Sequence, residues 1–121
     1  MDDVQLERVR RLCLRFPEAW EKLSHGEPNF FTGKRVFTSF AGQYHEEGRA
    51  AIWVPAPPGD QEFLIEHQPE VFFKPPYVGH RGWVGIELER IDVEDLSDHI
   101  ETAWRMIATK KLQKSYDLGE E

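Results

Sequence analysis

Two stretches of the chain place apolar residues every three or four positions, which is the spacing that gathers them on one face of an α-helix. The first stretch is Val4–Arg15, and Pro17 ends it. The second is Val93–Lys111, with Asp92 at the position of an N-cap residue. Each pattern predicts a long helix that buries one face.

Between these helices the pattern changes to short runs bounded by Gly, Pro and polar residues, which is typical of strands and turns. A strand is predicted to begin at Phe30, and Val36–Ala41 to return beside it. Thr32–Arg35 would connect the two as a hairpin, with Gly33 at a positive φ. A third strand, Ala50–Val54, follows after a polar loop. Strands this close in sequence predict an antiparallel meander.

The segment 72–86 combines two prolines, three glycines, a histidine, two cations and four aromatic residues. This composition predicts a rigid turn that leads into a strand, Trp83–Leu88. A short helix, Gln61–His67, is predicted before it, with Asp60 as its N-cap. The elements together predict a single α+β domain over residues 1–121. We expect a mostly antiparallel sheet with the two long helices on one face, an ordered core over about 4–112 and an acidic tail at 115–121.

Composition narrows the possible functions. The formal net charge of −7 opposes general attraction to nucleic acid but permits a local basic face. One cysteine excludes an internal disulfide and fits a reducing compartment. That residue, Cys13, lies within the apolar stripe of the first helix, so we expect a buried and inert thiol. No apolar run approaches the length of a membrane span, and we expect a cytoplasmic protein.

Six short motifs occur in a defined order along the chain. They are Phe16-Pro17-Glu18, His25–Phe30, Gly33–Phe37, Pro69–Phe73, Pro76–Gly79 and Gly82–Trp83-Val84. Their order and spacing resemble those of the MmcQ/YjbR-like family of small bacterial proteins, over nearly the whole chain. The resemblance implies a fold similar to bacterial frataxin (CyaY-like), with a sheet packed on two helices. It also implies a DNA-binding function, because family members are commonly labelled DNA-binding.

The cationic and aromatic residues of two loops are the candidate contacts for DNA: Lys34, Arg35, Lys74, Tyr77, His80, Arg81 and Trp83. Lys34 and Arg35 would lie at a hairpin tip, and the others in the Lys74–Trp83 loop. Arg81 beside Trp83 offers a charge and a stacking surface, which suits nucleic acid. The alternative is that Trp83 belongs to the core and Arg81 pairs with a carboxylate. Any DNA binding should be weak and local.

A second hypothesis is a non-enzymatic module that binds an anionic small ligand or a protein. Tyr77, His80 and Arg81 would then line a pocket that combines an aromatic ring with positive charge.

No converging set of acid, base and nucleophile is evident in the sequence. The five histidines are scattered, and the side chains of His45-Glu46-Glu47 would point apart on an extended segment. We therefore expect no catalytic activity, no cofactor and no tightly bound metal.

Overall fold

The computed structural model describes residues 3–42 and 49–119, which form four α-helices and six strands. The helices are α1 (Asp3–Cys13), α2 (Asp60–His67), α3 (Val93–Ile107) and α4 (Lys110–Asp117). The strands are β1 (Trp20–Ser24), β2 (Glu27–Thr32), β3 (Arg35–Ala41), β4 (Ala51–Val54), β5 (Phe72–Phe73) and β6 (Val84–Glu87). All six strands form one antiparallel sheet in the order β1-β2-β3-β4-β6-β5. The predicted α+β class is confirmed.

One face of this sheet forms the hydrophobic core. Phe30, Phe40 and Ile52 are at most 4% exposed and pack in the same cluster as the helices. The apolar stripes of α1 and α3, represented by Val9 and Ile100, cover them completely. The prediction of two long helices on the same face of an antiparallel sheet is therefore confirmed.

The opposite face of the sheet carries the strand residues that alternate with the buried set. In the described ranges no α-helix covers this surface, and its larger side chains are exposed or half-buried. They are Trp20, Lys22, Asn29, Phe31, Val36, Ser39, Trp53 and Phe73. We call this surface the open face.

Phe16 joins the helices to the sheet. Its ring stacks on Trp104 of α3 at 4.4 Å between centroids, with only 10° between the ring planes. It also meets Phe37 of β3 edge-on at 6.0 Å and Tyr116 of α4 at 5.0 Å. Aromatic pairs of this geometry add about 0.5–1.5 kcal/mol beyond area burial. Phe16, three residues beyond the end of α1, therefore contacts three other elements.

The last helix differs from the prediction of one helix followed by a frayed tail. The chain turns at Ala108, and Thr109 then caps α4 by accepting a hydrogen bond from the Leu112 amide at 3.2 Å. The side chain of Gln113 donates to two carbonyls at the end of α3. The turn lets the half-buried Tyr116 pack against the core, whereas a continued helix would have directed Lys114 there.

The sequence analysis did not predict two of the strands, and it assigned the N-cap of α2 to the wrong residue. The predicted turn at His25-Gly26 is present, with φ of 56° and 82°, but it joins β2 to an unpredicted edge strand, β1. The two-residue strand β5 was also missed. Asp92 caps α3 as predicted, since it accepts from the Asp95 amide at 2.8 Å. Asp60 is the first residue of α2 and not its cap, which is Gly59 at φ 88°.

A close contact on the open face depends on Gly85. The ring of Phe73 in β5 lies over Gly85 in β6, its cross-strand partner. A Cβ atom at Gly85 would stand only 2.3 Å from Cζ of Phe73. The phenyl ring can therefore lie over this position only because residue 85 has no side chain.

We expect Gly85→Ala to destabilise the protein by about 1–3 kcal/mol, the usual cost of overpacking, because backbone and ring cannot both keep their positions. Urea denaturation would measure the loss. In a Phe73→Ala background the same substitution should cost much less, because the clashing ring is gone. Equal costs in the two backgrounds would contradict this contact.

Candidate functional site

The β2–β3 turn presents two of the predicted cations. Gly33 supplies a positive φ of 61°, and Lys34 and Arg35 are exposed beside it. Trp20 braces this turn, because its indole Nε1 donates to the Gly33 carbonyl at 2.9 Å and its ring stacks on Phe31 at 4.5 Å. The hairpin tip is thus positioned by an aromatic pair of the open face.

The β5–β6 connection (74–83) presents the other predicted residues. Lys74, Tyr77, His80 and Arg81 are exposed, and Tyr77 reaches 74% exposure with φ at +67°. Trp83 is only 5% exposed, and the guanidinium of Arg81 lies 5.5 Å from its ring centroid. The burial of Trp83 agrees with the alternative that it belongs to the interior. Arg81 therefore remains as a candidate contact, whereas the ring of Trp83 offers no open stacking surface.

Gln61 holds this connection against α2. Its side chain is 7% exposed, and its Nε2 donates to the carbonyls of Gly79 at 2.8 Å and Trp83 at 2.5 Å. The stem of Lys74 lies over Gly79, where an added Cβ would be 2.7 Å from Cγ of Lys74. Sequence reasoning missed Gln61, because bonds to backbone carbonyls 18 and 22 residues away leave no local pattern.

The hairpin tip and the β5–β6 connection lie at the same end of the sheet. Phe73, Gly85, Trp53 and Ser39 are successive cross-strand partners from β5 to β3. Beyond this row, β5 continues into Lys74. Because β3 is antiparallel to β5, the stretch of β3 that leads back to Arg35 lies in the same direction from the row. Two to three strand spacings separate the groups laterally, which is about 10–15 Å. The structure therefore brings the two predicted groups to one edge without merging them into a single pocket.

The open face adds a row of side chains that sequence reasoning did not assemble. Lys22, Asn29, Ser39 and Trp53 are consecutive partners across four strands. Ser39 Oγ donates to Asn29 Oδ1 at 2.6 Å, and the ring of Trp53 lies 6.5 Å from that of Tyr77. Alternation along each strand was the available signal, but β1 had not been recognised as a strand.

The charges of the protein are unevenly distributed. The segments 20–42, 49–54 and 72–87, which hold the strands and their turns, contain six Lys or Arg and three Asp or Glu. Helices α2 and α3 together contain seven acids and one Arg, whereas α1 and α4 together contain three acids and six Lys or Arg. The three acids of the sheet segments are engaged within the protein: Glu21 binds Arg10, Glu27 accepts from the Gly42 amide, and Glu87 pairs with Arg49.

The cations of the candidate site differ from these acids in their contacts. Within residues 3–42 and 49–119, Lys34, Arg35, Lys74 and Arg81 make no ion pair with a carboxylate. By contrast, Arg8 of α1 is used inside the fold, where it donates to the carbonyls of Leu88 and Ile91. The sheet end therefore offers positive charge that a ligand can reach.

Two further features bear on possible chemistry: the single cysteine and the residues that could bind a metal. Cys13 is fully buried, and burial raises the pKa of its thiol to about 12, which keeps it protonated. Among the described residues, no group of three His, Cys, Asp or Glu could hold a metal ion, and no helix could cross a membrane. His45-Glu46-Glu47 lies outside the described residues.

A cavity of about 130 Å³ lies on the helix side, between α2, α3 and the end of β4. Its lining includes Asp60, Asp98, His99 and Thr102. Burial lowers the pKa of His99 below its ordinary value, although Asp95, Asp98 and Asp60 act in the opposite direction. The pocket hypothesis had placed a ligand instead at Tyr77, His80 and Arg81, which are exposed side chains outside this cavity.

The architecture is an α+β domain whose described long helices pack on one face of an antiparallel sheet. A family model described as YjbR matches residues 14–106, and the chain belongs to the YjbR family. Protein DR2400 of Deinococcus radiodurans, with a domain described as DUF419, has a similar structure, with a TM-score of 0.74 and 16% identity. The alignment covers 96% of this chain and 88% of that protein. At this identity the similarity shows the fold alone. None of the curated proteins matches the chain.

Loss of the Gln61 side chain should loosen the β5–β6 connection. We expect Gln61→Ala to cost about 1–3 kcal/mol, because the carbonyls of Gly79 and Trp83 each lose one hydrogen bond, although Gly79 keeps the bond from the Gly82 amide. Amide hydrogen exchange should accelerate at Arg81 and Gly82, whose amides bond within this loop. Gln68→Ala, which alters an exposed glutamine just after α2, serves as the control. Unchanged exchange in Gln61→Ala would show that the connection is held by other contacts.

His99 should make stability depend on pH. Because its pKa is lower in the folded than in the unfolded state, the unfolded state binds the proton more readily. Its contribution is therefore present above the ordinary histidine pKa of about 6.5 and is lost as the pH falls below it. We expect His99→Gln to flatten the decline in unfolding free energy between about pH 7.5 and 5.5. Urea midpoints would measure this decline, with the exposed His80→Gln as control. Identical pH profiles for the two variants would exclude this role.

Proposed function

We propose that this YjbR-family protein binds DNA, without catalysis, through the hairpin tip and the β5–β6 connection. The observation that carries the proposal is the separation of charge in a chain of net charge −7. The strands and their turns carry an excess of cations, and the acids of α2 and α3 lie in the helix layer. An acidic protein can attract a polyanion only where such separation exists.

The placement of the cations supports contact with the phosphate backbone. Lys34 and Arg35 lie at one side of the sheet end, and their strand is separated from those next to Lys74 and Arg81 by about 10–15 Å measured across the sheet. A DNA duplex carries one negative charge per 1.7 Å of axis, so about six to nine charges fall within that span. Four exposed cations, none paired with a described carboxylate, can therefore meet phosphates together.

The small number of these cations determines the expected affinity and salt dependence of the binding. Few cations contact phosphate, and the acidic helices α2 and α3 repel nucleic acid. The interaction should therefore be weak, local and strongly dependent on salt. Each phosphate contact contributes about −0.9 to the slope of log affinity against log salt, so four contacts predict about −3 to −4.

Reversing the hairpin cations tests this proposal. We expect Lys34→Glu combined with Arg35→Glu to remove most of the binding and to reduce the salt slope by about 1.8, since two contacts are lost. Arg81→Ala should weaken binding further. Fluorescence anisotropy of a labelled short duplex, at salt concentrations from about 50 to 200 mM, measures both quantities.

The matched control is Lys110→Glu combined with Lys111→Glu. It makes the same change in charge at two exposed neighbouring lysines of α4, in the helix layer. It should weaken binding much less than the hairpin reversal. The proposal fails if the protein binds no duplex at about 50 mM salt, or if the two reversals weaken binding equally.

A further inference from the structure

The cavity between α2, α3 and the end of β4 has two chemically different parts. Its floor is apolar and includes Val54, Leu64 and Val84, of which the two valines are each 1% exposed. Its mouth is polar, because Asp60 of α2 and Asp98 of α3 line it and both are exposed. Small-molecule sites commonly combine an apolar lining with a few polar groups in this way. A ligand that entered here would meet carboxylates first and hydrocarbon behind them.

The polar side chains of this cavity have no partner within the described part of the protein. Over residues 3–42 and 49–119, no hydrogen bond or ion pair engages the four polar side chains that line it: Asp60, Asp98, His99 and Thr102. By contrast, the three acids of the sheet segments are all engaged by a partner. The carboxylates at the mouth of the cavity can therefore pair with a ligand without first breaking an internal contact.

The charge of the cavity depends on His99. Its ring packs against Phe72 of β5 at 5.2 Å between centroids and is half-buried. Burial lowers the pKa of His99 below its ordinary value, so the imidazole is neutral at neutral pH. The charged groups that act on it are three carboxylates, those of Asp60, Asp95 and Asp98, and no Lys or Arg of the described ranges lines the cavity. The cavity is therefore negatively charged and favours a cation.

The size and the lining of the cavity favour an organic cation over a metal ion. Its volume of about 130 Å³ is close to the volume of about 150 Å³ of an engineered cavity in another protein that binds benzene. Among the described residues, no three His, Cys, Asp or Glu side chains could hold a metal ion together. An ammonium group has three N–H donors for carboxylate oxygens, and a hydrocarbon body of about the size of a ring gains free energy by leaving water for the apolar floor.

We propose that this cavity binds a small organic ammonium ion, with the charged group beside Asp60 and Asp98 and the apolar body on the floor formed by Val54, Leu64 and Val84. The residues proposed to contact DNA do not line the cavity, so this inference does not rest on the proposed DNA binding. Because both carboxylates are exposed, solvent screens their attraction for the cation. The affinity should therefore be modest, with a Kd of about 0.1–1 mM for a ligand this small.

Three probes separate the two parts of the site, and the ¹³C methyl NMR signals of the protein report their binding. Cyclopentylamine carries an ammonium group on a ring slightly smaller than benzene, cyclopentanol carries the ring without the charge, and methylamine carries the charge without the ring. We expect cyclopentylamine to shift the methyl signals of Val54, Leu64 and Val84 in a saturable way. The methyl signals of Val4, which is 76% exposed on α1, should stay in place. The other two probes should each bind at least about fivefold more weakly.

Asp60→Asn and Asp98→Asn remove the two charges while nearly keeping the size of the side chains. We expect each to weaken cyclopentylamine binding about twofold to fivefold, the range for an exposed ion pair, and to leave cyclopentanol binding unchanged. The control Glu66→Gln removes the same charge from an exposed position near the other end of α2, outside the cavity, and should change neither. Ala56→Leu enlarges a side chain that lines the cavity and should prevent the binding of both ring-bearing probes.

The remaining outcomes each overturn the inference. If cyclopentanol binds as tightly as cyclopentylamine, the carboxylates do not select a cation. If methylamine binds as tightly, the apolar floor contributes nothing to the site. If about 10 mM cyclopentylamine shifts none of the three sets of methyl signals, or if Ala56→Leu leaves its binding unchanged, the cavity is not the site. None of these outcomes changes the result of the duplex titration, so the inference and the proposed DNA binding fail separately.

Discussion

One-sided burial of the six-stranded sheet is the constraint on which the rest of the structure depends. α1 and α3 bury their apolar stripes on one face, and the stack of Phe16 on Trp104 ties the end of α1 to α3 and α4. No α-helix of the described ranges covers the other face of the sheet. The side chains of the open face are therefore exposed, as Trp20 is, or half-buried, as Trp53 is.

The same constraint separates the charges. Residues that alternate along a strand point to opposite faces, so Glu21 on the helix side can bind Arg10 of α1, while Lys22 faces outward. The acids of α3 lie in the layer behind the sheet, and the cations at the sheet end have no carboxylate partner in the described ranges. Gln61 then fixes the connection that carries Lys74 and Arg81. The fold thus produces a basic and aromatic surface on an acidic protein.

Much of the fold could be predicted from the sequence, because the spacing of apolar residues along an element indicates which of its faces is buried. The stripes of α1 and α3 and the Asp92 cap followed from spacing and residue type. β1 could not be predicted in the same way, since as an edge strand it buries little on either face. The break at Ala108 depends on Tyr116 returning to Phe16, a tertiary contact that no local pattern shows.

The candidate site was predicted in its charged residues but not in its geometry. Lys34 and Arg35 follow a glycine turn that sequence identifies, whereas the burial of Trp83 and the role of Gln61 arise from packing between distant segments. The row of side chains from Lys22 to Trp53 could not be predicted from the sequence. It depends on the pairing of four strands, and β1 was not recognised as one of them.

The most direct test of the account is a titration of ¹⁵N-labelled protein with a short DNA duplex, followed by amide and indole N–H shifts. The account predicts that shifts concentrate at the hairpin tip and in the β5–β6 connection. The indole signal of Trp20, which donates to the Gly33 carbonyl of the hairpin tip, should move, and that of the fully buried Trp104 should stay in place. Shifts concentrated instead on α2 and α3, around the cavity at His99, would contradict the account.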